Sequence, residues 1–368
     1  MKINLYYLLL FCCFLSFGQH YPLSSDAKIS VLTCGSGQEL HSIFGHTAIR
    51  IHDNQRGIDA VYNFGMFDFD TPNFYLKFIK GDLEYYVAKG SFEGFMYSYR
   101  MENRSVYEQE LNLSTVQKQR LYDNLEKMLY AEERFYTYKF IDKNCTTMVV
   151  DQINHQLAKP VIAKVDNRAE SYRRVLNPFM DNLFYQKLGI NIMFGYRTDK
   201  AAEQLFLPVE LLNSLKVTNV NNIPVAEHTT VLFEQHKPLH SSSWWNSMYT
   251  FIFALFLLFI TNKNSVYLTF LMFLGVLGVF LFWVGYYSLH REVTQNYNIL
   301  LFNPFLIGIV ISFIKRSTVW FNRLFYFILF CFTAYLLFML NKAHLFLMLP
   351  IMILAVMLLL KLRTRLSI

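Results

Sequence analysis

Asp142-Lys143-Asn144-Cys145-Thr146-Thr147 runs directly into Met148-Val149-Val150-Asp151-Gln152-Ile153-Asn154, which reads as a helix. Asn144 is a good N-cap and leaves Cys145 at the first helical position. A thiol there feels the positive end of the helix dipole, so its pKa falls and the attacking thiolate is populated. Such a nucleophile needs a base. His46 supplies one: Ala48, Arg50 and His52 alternate with Ile49 and Ile51, the pattern of a strand with His46 at its start. Asn63, on the next expected strand, is placed to orient the imidazole, with Asp59, Tyr62 and Asp68 as competitors for that role.

The other cysteines divide by context. If the soluble part is exported, Cys34 and Cys145 can pair in a disulfide. The helix-start position of Cys145 and the available histidine favour a free thiol instead, with Cys34 a small buried residue at a strand end. Cys331 lies in an apolar run and reads as packing. Gly35-Ser36-Gly37 forms a turn-rich loop that can bring backbone N–H groups near the thiol. Arg173 and Arg174 suit a phosphate or carboxylate, although a solvated helix face is the commoner fate of arginine. His41, His46 and His52 lack a cysteine or carboxylate partner pattern, so no metal site is expected, and no phosphate-binding loop or cofactor motif is present.

These residues need a scaffold and a compartment. The chain has 368 residues, 54% of them hydrophobic, and a mean hydropathy of +0.24. That is enough for two domains, one of them in a membrane. Residues 1–18 read as a signal peptide, with Lys2 before a short apolar core and Ser16-Phe17-Gly18 as the cleavage site. Residues 19–243 carry mixed strand and helix signals, an α+β pattern. They include a short helix ended by Gly81 and a capping box at Ser114-Thr115-Val116-Gln117. Ser241-Ser242-Ser243 reads as a linker, and Trp244-Trp245 suits a membrane interface. In residues 244–368 five apolar spans follow, near 247–260, 266–289, 299–314, 319–340 and 343–360. The first and third fall short of the ~20 residues a straight span needs. Basic residues after the first, third and fifth spans (Lys263, Lys315-Arg316, Lys361, Arg363, Arg365) place the C-terminus in the cytoplasm and the thiol domain outside. The net charge of +7 is thereby explained by topology, and no nucleic-acid partner is inferred. One outer loop is unusual: His290, Thr294, Asn296 and Asn298 precede Asn303-Pro304 at a membrane face, where polar groups are costly and suggest function.

Four blocks in order resemble the Lnb-type lipoprotein N-acyltransferases: residues 35–50 around His46, residues 61–69 around Asn63, Gly81-Asp82-Leu83-Glu84-Tyr85, and residues 142–147 around Cys145. The His290–Pro304 loop also resembles a membrane-side motif of that family. The resemblance implies a permuted papain-like thiol-enzyme domain, His before Cys, followed by a five-helix transmembrane bundle in a bacterial inner membrane, with the thiol domain in the periplasm. It implies His46 as base and Cys145 as the acyl-accepting nucleophile. Beside these, the residues themselves make Asn63 the candidate third catalytic residue and Ser36, Asn144, His290, Asn296, Asn298 and Asn303 the candidate substrate contacts. The expected reaction moves a fatty acyl chain from a membrane phospholipid, through a thioester, to the N-terminal amine of a diacylglyceryl-cysteine lipoprotein. Backbone N–H groups at the start of the Cys helix are the expected oxyanion donors. A membrane-anchored thiol peptidase or amidase, and a non-enzymatic binding module with a Cys34–Cys145 disulfide, are the alternatives.

Overall fold

A computed structural model describes residues 22–157, 159–166, 168–236 and 243–366. The expected signal peptide and most of the Ser241–Ser243 linker lie outside these residues. A seven-stranded antiparallel sheet organises the first domain, its strands lying in the order Phe135–Thr137, Glu84–Ser91, Ile58–Met66, His46–Asp53, Lys28–Cys34, Val106–Glu110 and Thr230–Phe233. The strands that matter for the site are β1 (Lys28–Cys34), β2 (His46–Asp53), β3 (Ile58–Met66) and β4 (Glu84–Ser91). Helix α1 (Phe74–Lys80) joins β3 to β4 and stops at Gly81 in the left-handed region, as the sequence predicts. Helix α2 (Phe92–Met101) covers one face of the sheet, its Phe92 and Phe95 packing on Leu32, Ala48 and Val61. Helix α3 (Thr115–Tyr130), opened by the Ser114 capping box, and helix α4 (Cys145–Asn154) cover the other face through Leu121, Leu125, Val149 and Ile153. The expected α+β class is therefore present, built on one large antiparallel sheet.

The second domain is a helical bundle. Among the described residues, four segments are long and apolar enough to cross a membrane: Asn264–Tyr287 (α9), Arg291–Ile314, Thr318–Met339 (α11) and Leu345–Leu366 (α12). The sequence reading has five spans; the first apolar helix, Met248–Ile260 (α8), has 13 residues, short of the ~20 a straight crossing needs. The third expected span is completed by its flank: two 3-10 turns at Arg291–Val293 and Tyr297–Leu300 lead into helix α10 (Phe305–Ile314). At one end of the bundle Lys361 reaches Asn262 and Arg363 reaches Asn322. The other end, where α9 finishes, receives the thiol domain.

The loop at that receiving end is a clamp. Helix α6 (Phe184–Met193) of the first domain offers its last carbonyls to the loop asparagines. Asn296 Nδ2 donates to Ile192 O at 2.8 Å and Met193 O at 2.9 Å, and Asn298 Nδ2 donates to Asn191 O at 3.0 Å. Arg173, expected on a solvated face, is instead 1% exposed and paired with Asp199 at 2.8 Å, while Arg174 is the exposed one. Tyr297 from the loop donates to the other oxygen of Asp199 at 2.5 Å. Two polar networks from separate domains thus close on one aspartate, which satisfies groups that would be expensive to bury alone.

Gly195 lies in the same seam. Its N–H donates to Glu292 O at 2.7 Å, and a Cβ there would sit 2.0 Å from Thr294 O. Gly195→Val must push the loop away from the first domain. We expect a loss of ~1–3 kcal/mol, read as a lower thermal unfolding midpoint of the detergent-solubilised protein; an unchanged midpoint would mean that this seam contributes nothing.

Candidate active site

Cys145 opens α4 where the sequence puts it, under a complete cap. Asn144 Oδ1 accepts from Thr146 N at 2.9 Å and Thr147 N at 3.0 Å, and Thr147 Oγ1 accepts from Asn144 N at 2.8 Å. Asn144 Nδ2 donates to Phe140 O and Phe206 O, both at 2.8 Å. This corrects two expectations. Asn144 has no polar capacity left for a substrate. The N–H groups of Thr146 and Thr147 are consumed by the cap, so the Cys145 N–H is the first-turn donor left for an oxyanion.

His46 begins β2, and Asn63 sits diagonally across on β3, whose register pairs it with Ala48. Residues two apart on a strand share a face, so the two side chains meet. Asn63 Oδ1 lies 3.2 Å from His46 Nε2. Asp59 is occupied by Arg50 at 2.8 Å and Tyr62 by Glu126, and Asp68 accepts from Asp70 N at 2.9 Å, which leaves Asn63 as the orienting partner. With Nε2 held by Asn63, Nδ1 is the nitrogen available to sulfur. Burial pushes the Cys145 thiol up, but the charge of His46, a hydrogen bond to its side chain, the Thr47 backbone N–H and the Thr146 hydroxyl together hold it below the ordinary thiol value. Thr47 Oγ1 and Thr146 Oγ1 are themselves 3.0 Å apart, tying β2 to α4.

Cys34 shows what burial does without that help. It pairs with His46 across β1 and β2 yet is pushed up to about 12, because burial outweighs its bond to Tyr99 and the charge of Arg104. Cys34, Cys145 and Cys331 are all free thiols. The disulfide alternative therefore has no support, and the two cysteines of the soluble domain differ in chemistry as the sequence reading prefers.

The opposition in the Cys145 microenvironment gives a testable pH profile. The thiolate dominates above the lowered pKa, so alkylation by iodoacetamide should continue below the pH where an ordinary thiol slows. His46→Gln removes the largest lowering influence and leaves burial opposed only by the Thr47 N–H and the Thr146 hydroxyl. Its alkylation midpoint should move upward past the ordinary thiol value; a midpoint that stays put would show that His46 does not set the thiol's state.

Some of the neighbourhood was not legible. The β3–β4 register shifts between Asn63 and Met66, a bulge at Gly65, whose φ is +83°. A Cβ on Gly65 would lie 3.4 Å from Tyr138 and 3.9 Å from the Cys145 Cβ. The bulge shifts the strand's register beside the thiol, and pairing resumes at Met66 with Tyr86. An isolated glycine in a strand pattern is the signal that could have found it. Thr47, Thr146 and Tyr138 carry no such signal.

The remaining expected contacts separate. Ser36 is half-buried in the loop after β1. His290, Asn296 and Asn298 face the first domain as the clamp, His290 Nε2 lying 2.9 Å from Phe78 O. Asn298 is fully buried and also accepts from Tyr335 OH at 2.8 Å. Asn303 accepts from Phe305 N at 3.0 Å and caps α10 after Pro304. These asparagines hold domains and helix ends in place, and their amides are spent on protein groups rather than offered to a ligand. The clamp does reach the site: Lys139 donates to Leu289 O at 3.1 Å, Asp142 pairs with Arg197, and Arg291 lies 3.7 Å from Asp142. The turn that delivers Cys145 is thus bound to the membrane-side loop.

No curated protein and no solved structure matches the chain. A family model does match, over residues 19–178, and that span contains His46, Asn63 and Cys145. Residues 19–178 of this chain are similar to the family described as the Lnb N-terminal periplasmic domain.

Proposed function

We propose that this protein is a lipoprotein N-acyltransferase working through a Cys145 thioester. The observation that carries the proposal is the Cys145 thiol, held below its ordinary pKa by His46 in a turn bound to the loop of an apolar helical bundle. A nucleophile placed there meets lipid rather than soluble peptide. The family description, with its periplasmic domain, agrees with the basic end of the bundle facing the cytoplasm and the thiol domain facing out.

In the first half-reaction the Cys145 thiolate attacks an ester carbonyl of a phospholipid. The C–O bond breaks, and the departing lysolipid alkoxide takes the proton of the His46 imidazolium. Asn63 keeps the ring oriented throughout, as the amide partner of a thiol dyad does. In the second half-reaction the neutral N-terminal amine of a diacylglyceryl-cysteine lipoprotein attacks the thioester. The C–S bond breaks, His46 takes the amine proton, and the Cys145 thiolate returns. The Cys145 N–H is aimed at the developing oxyanion, where one such donor is worth ~10²–10³ in rate. An amine must outcompete water, so the site works only where lipid keeps it dry.

The test is reconstitution of the full-length protein in phospholipid vesicles with a diacylated lipopeptide. Triacylated lipopeptide and lysophospholipid should accumulate in equal amounts. Free fatty acid in place of the amide would make the protein a lipid hydrolase, and shortened peptide would make it the peptidase alternative.

A further inference from the structure

Helix α1 packs through Phe74 and Phe78 but leaves most of its apolar surface uncovered. None of its seven residues is buried, and Tyr75, Leu76, Phe78 and Ile79 are exposed, the first two by 76% and 69%. An isolated seven-residue helix is unstable in water, and an apolar one more so. Its position supplies the missing partner. The C-terminal end of α1 is bonded to the end of the spanning helix α9: Leu289 N donates to Lys80 O at 2.6 Å, and Ser288 Oγ to Ile79 O at 2.8 Å. Tyr286 and Tyr287, at the same end of α9, are exposed, as the aromatic belt at a bilayer surface is. Lys77 provides a basic side chain of the kind that an interfacial helix directs at headgroups, while Lys80 is paired with Asp82.

A file of aromatic rings runs inward from this helix. Phe78 lies 6.2 Å from Phe74, Phe74 lies 5.9 Å from Phe67, Phe67 lies 5.3 Å from Tyr85, and Tyr85 stacks on Tyr138 at 4.5 Å. Tyr138 and Cys145 flank the same glycine, Gly65, at the bulge. The rings therefore connect the bilayer surface to the thiol without a charged side chain in the file.

We propose that α1 lies in the outer leaflet and that the aromatic file behind it is the path along which a phospholipid acyl ester reaches Cys145. The proposal deepens the acyltransferase reading and rests on it for the identity of the cargo. The insertion of α1 stands independently of that chemistry. Lipid covers the exposed side chains of α1, and the acyl chain replaces bilayer contacts with ring contacts as it moves inward.

Two experiments on the full-length protein in vesicles separate the claims. In the first, Leu76→Trp is compared with the parent protein in vesicles of phosphatidylcholine with brominated acyl chains. The emission gained from residue 76 should be quenched relative to unbrominated vesicles. Unquenched emission would place the helix in water and overturn the proposal. In the second, acylation of Cys145 by bilayer phospholipid is compared with acylation by water-soluble p-nitrophenyl acetate. The Tyr75→Glu/Leu76→Glu double variant should lower the ratio of the two rates by roughly tenfold or more, as expected for two apolar anchors lost from an interface. An unchanged ratio would overturn the path. Quenching at residue 76 in the Leu76→Trp variant, together with a parent protein that neither ester acylates, would leave the inserted helix standing and end the acyltransferase reading.

Discussion

Cys145→Ser should lower acyl transfer by on the order of 10⁴-fold or more, the scale seen when a nucleophile is removed from a preorganised site. A serine hydroxyl has the geometry but not the acidity, and a single imidazole tuned for a thiol does not ionise it as readily. The contrasting variant is Cys34→Ser. Cys34 lies across the strand pair from His46, but burial keeps its thiol protonated, and it packs among Met96, Val106 and Tyr99. That substitution should leave the acyl-enzyme on Cys145 in place, at the cost of a modest loss of stability from a hydroxyl in an apolar pocket. If Cys34→Ser abolished the acyl-enzyme and Cys145→Ser did not, the roles assigned to the two sulfurs would be reversed. Acyl incorporation from labelled phospholipid reads both variants directly.

Arg173→Met should destabilise the protein by ~3–5 kcal/mol, the usual cost of breaking a buried ion pair from one side. The Arg173 guanidinium is spent on Asp199 Oδ1, Asn191 Oδ1 at 3.0 Å and Phe194 O at 2.9 Å. Its loss leaves Asp199, a carboxylate whose side chain is only 4% exposed, with Tyr297 and a distant Lys342 at 3.9 Å. Because Tyr297 belongs to the loop of the membrane bundle, the damage should extend to the docking of the two domains. Limited proteolysis between residues 195 and 245 should accelerate along with the fall in thermal midpoint. Arg173→Lys keeps the charge but not the fork of donors, and should fall between the two. A variant as stable as the parent would mean that the network is incidental to docking.

The sequence was most readable where one local rule acts alone. The N-cap at Asn144, the box at Ser114 and the glycine stop at Gly81 each depend on a few neighbouring residues, and all three stand in the structure. The alternation from Ala48 to His52 identified β2 because Ile49 and Ile51 on one face are fully buried while Arg50 and His52 on the other are half-buried. What was lost depends on distant partners. Arg173 is indistinguishable from Arg174 in sequence, and only the arrival of Asp199 and Tyr297 separates them. The outer-loop asparagines were read as ligand contacts because polar groups at a membrane face are unusual. Their partners are the frayed carbonyls at the end of Phe184–Met193, which lie about a hundred residues away in the chain. The cap itself hid a cost: the donors that Asn144 takes from Thr146 and Thr147 are the ones the sequence reading assigned to an oxyanion.

The most direct measurement is the mass of the Cys145 peptide after the full-length protein has been incubated in phospholipid vesicles without lipoprotein and quenched in acid. The account predicts a fatty acyl group on that sulfur, removed by neutral hydroxylamine and discharged when a diacylated lipopeptide is added. An unmodified Cys145 in a preparation that still produces triacylated lipopeptide would contradict it.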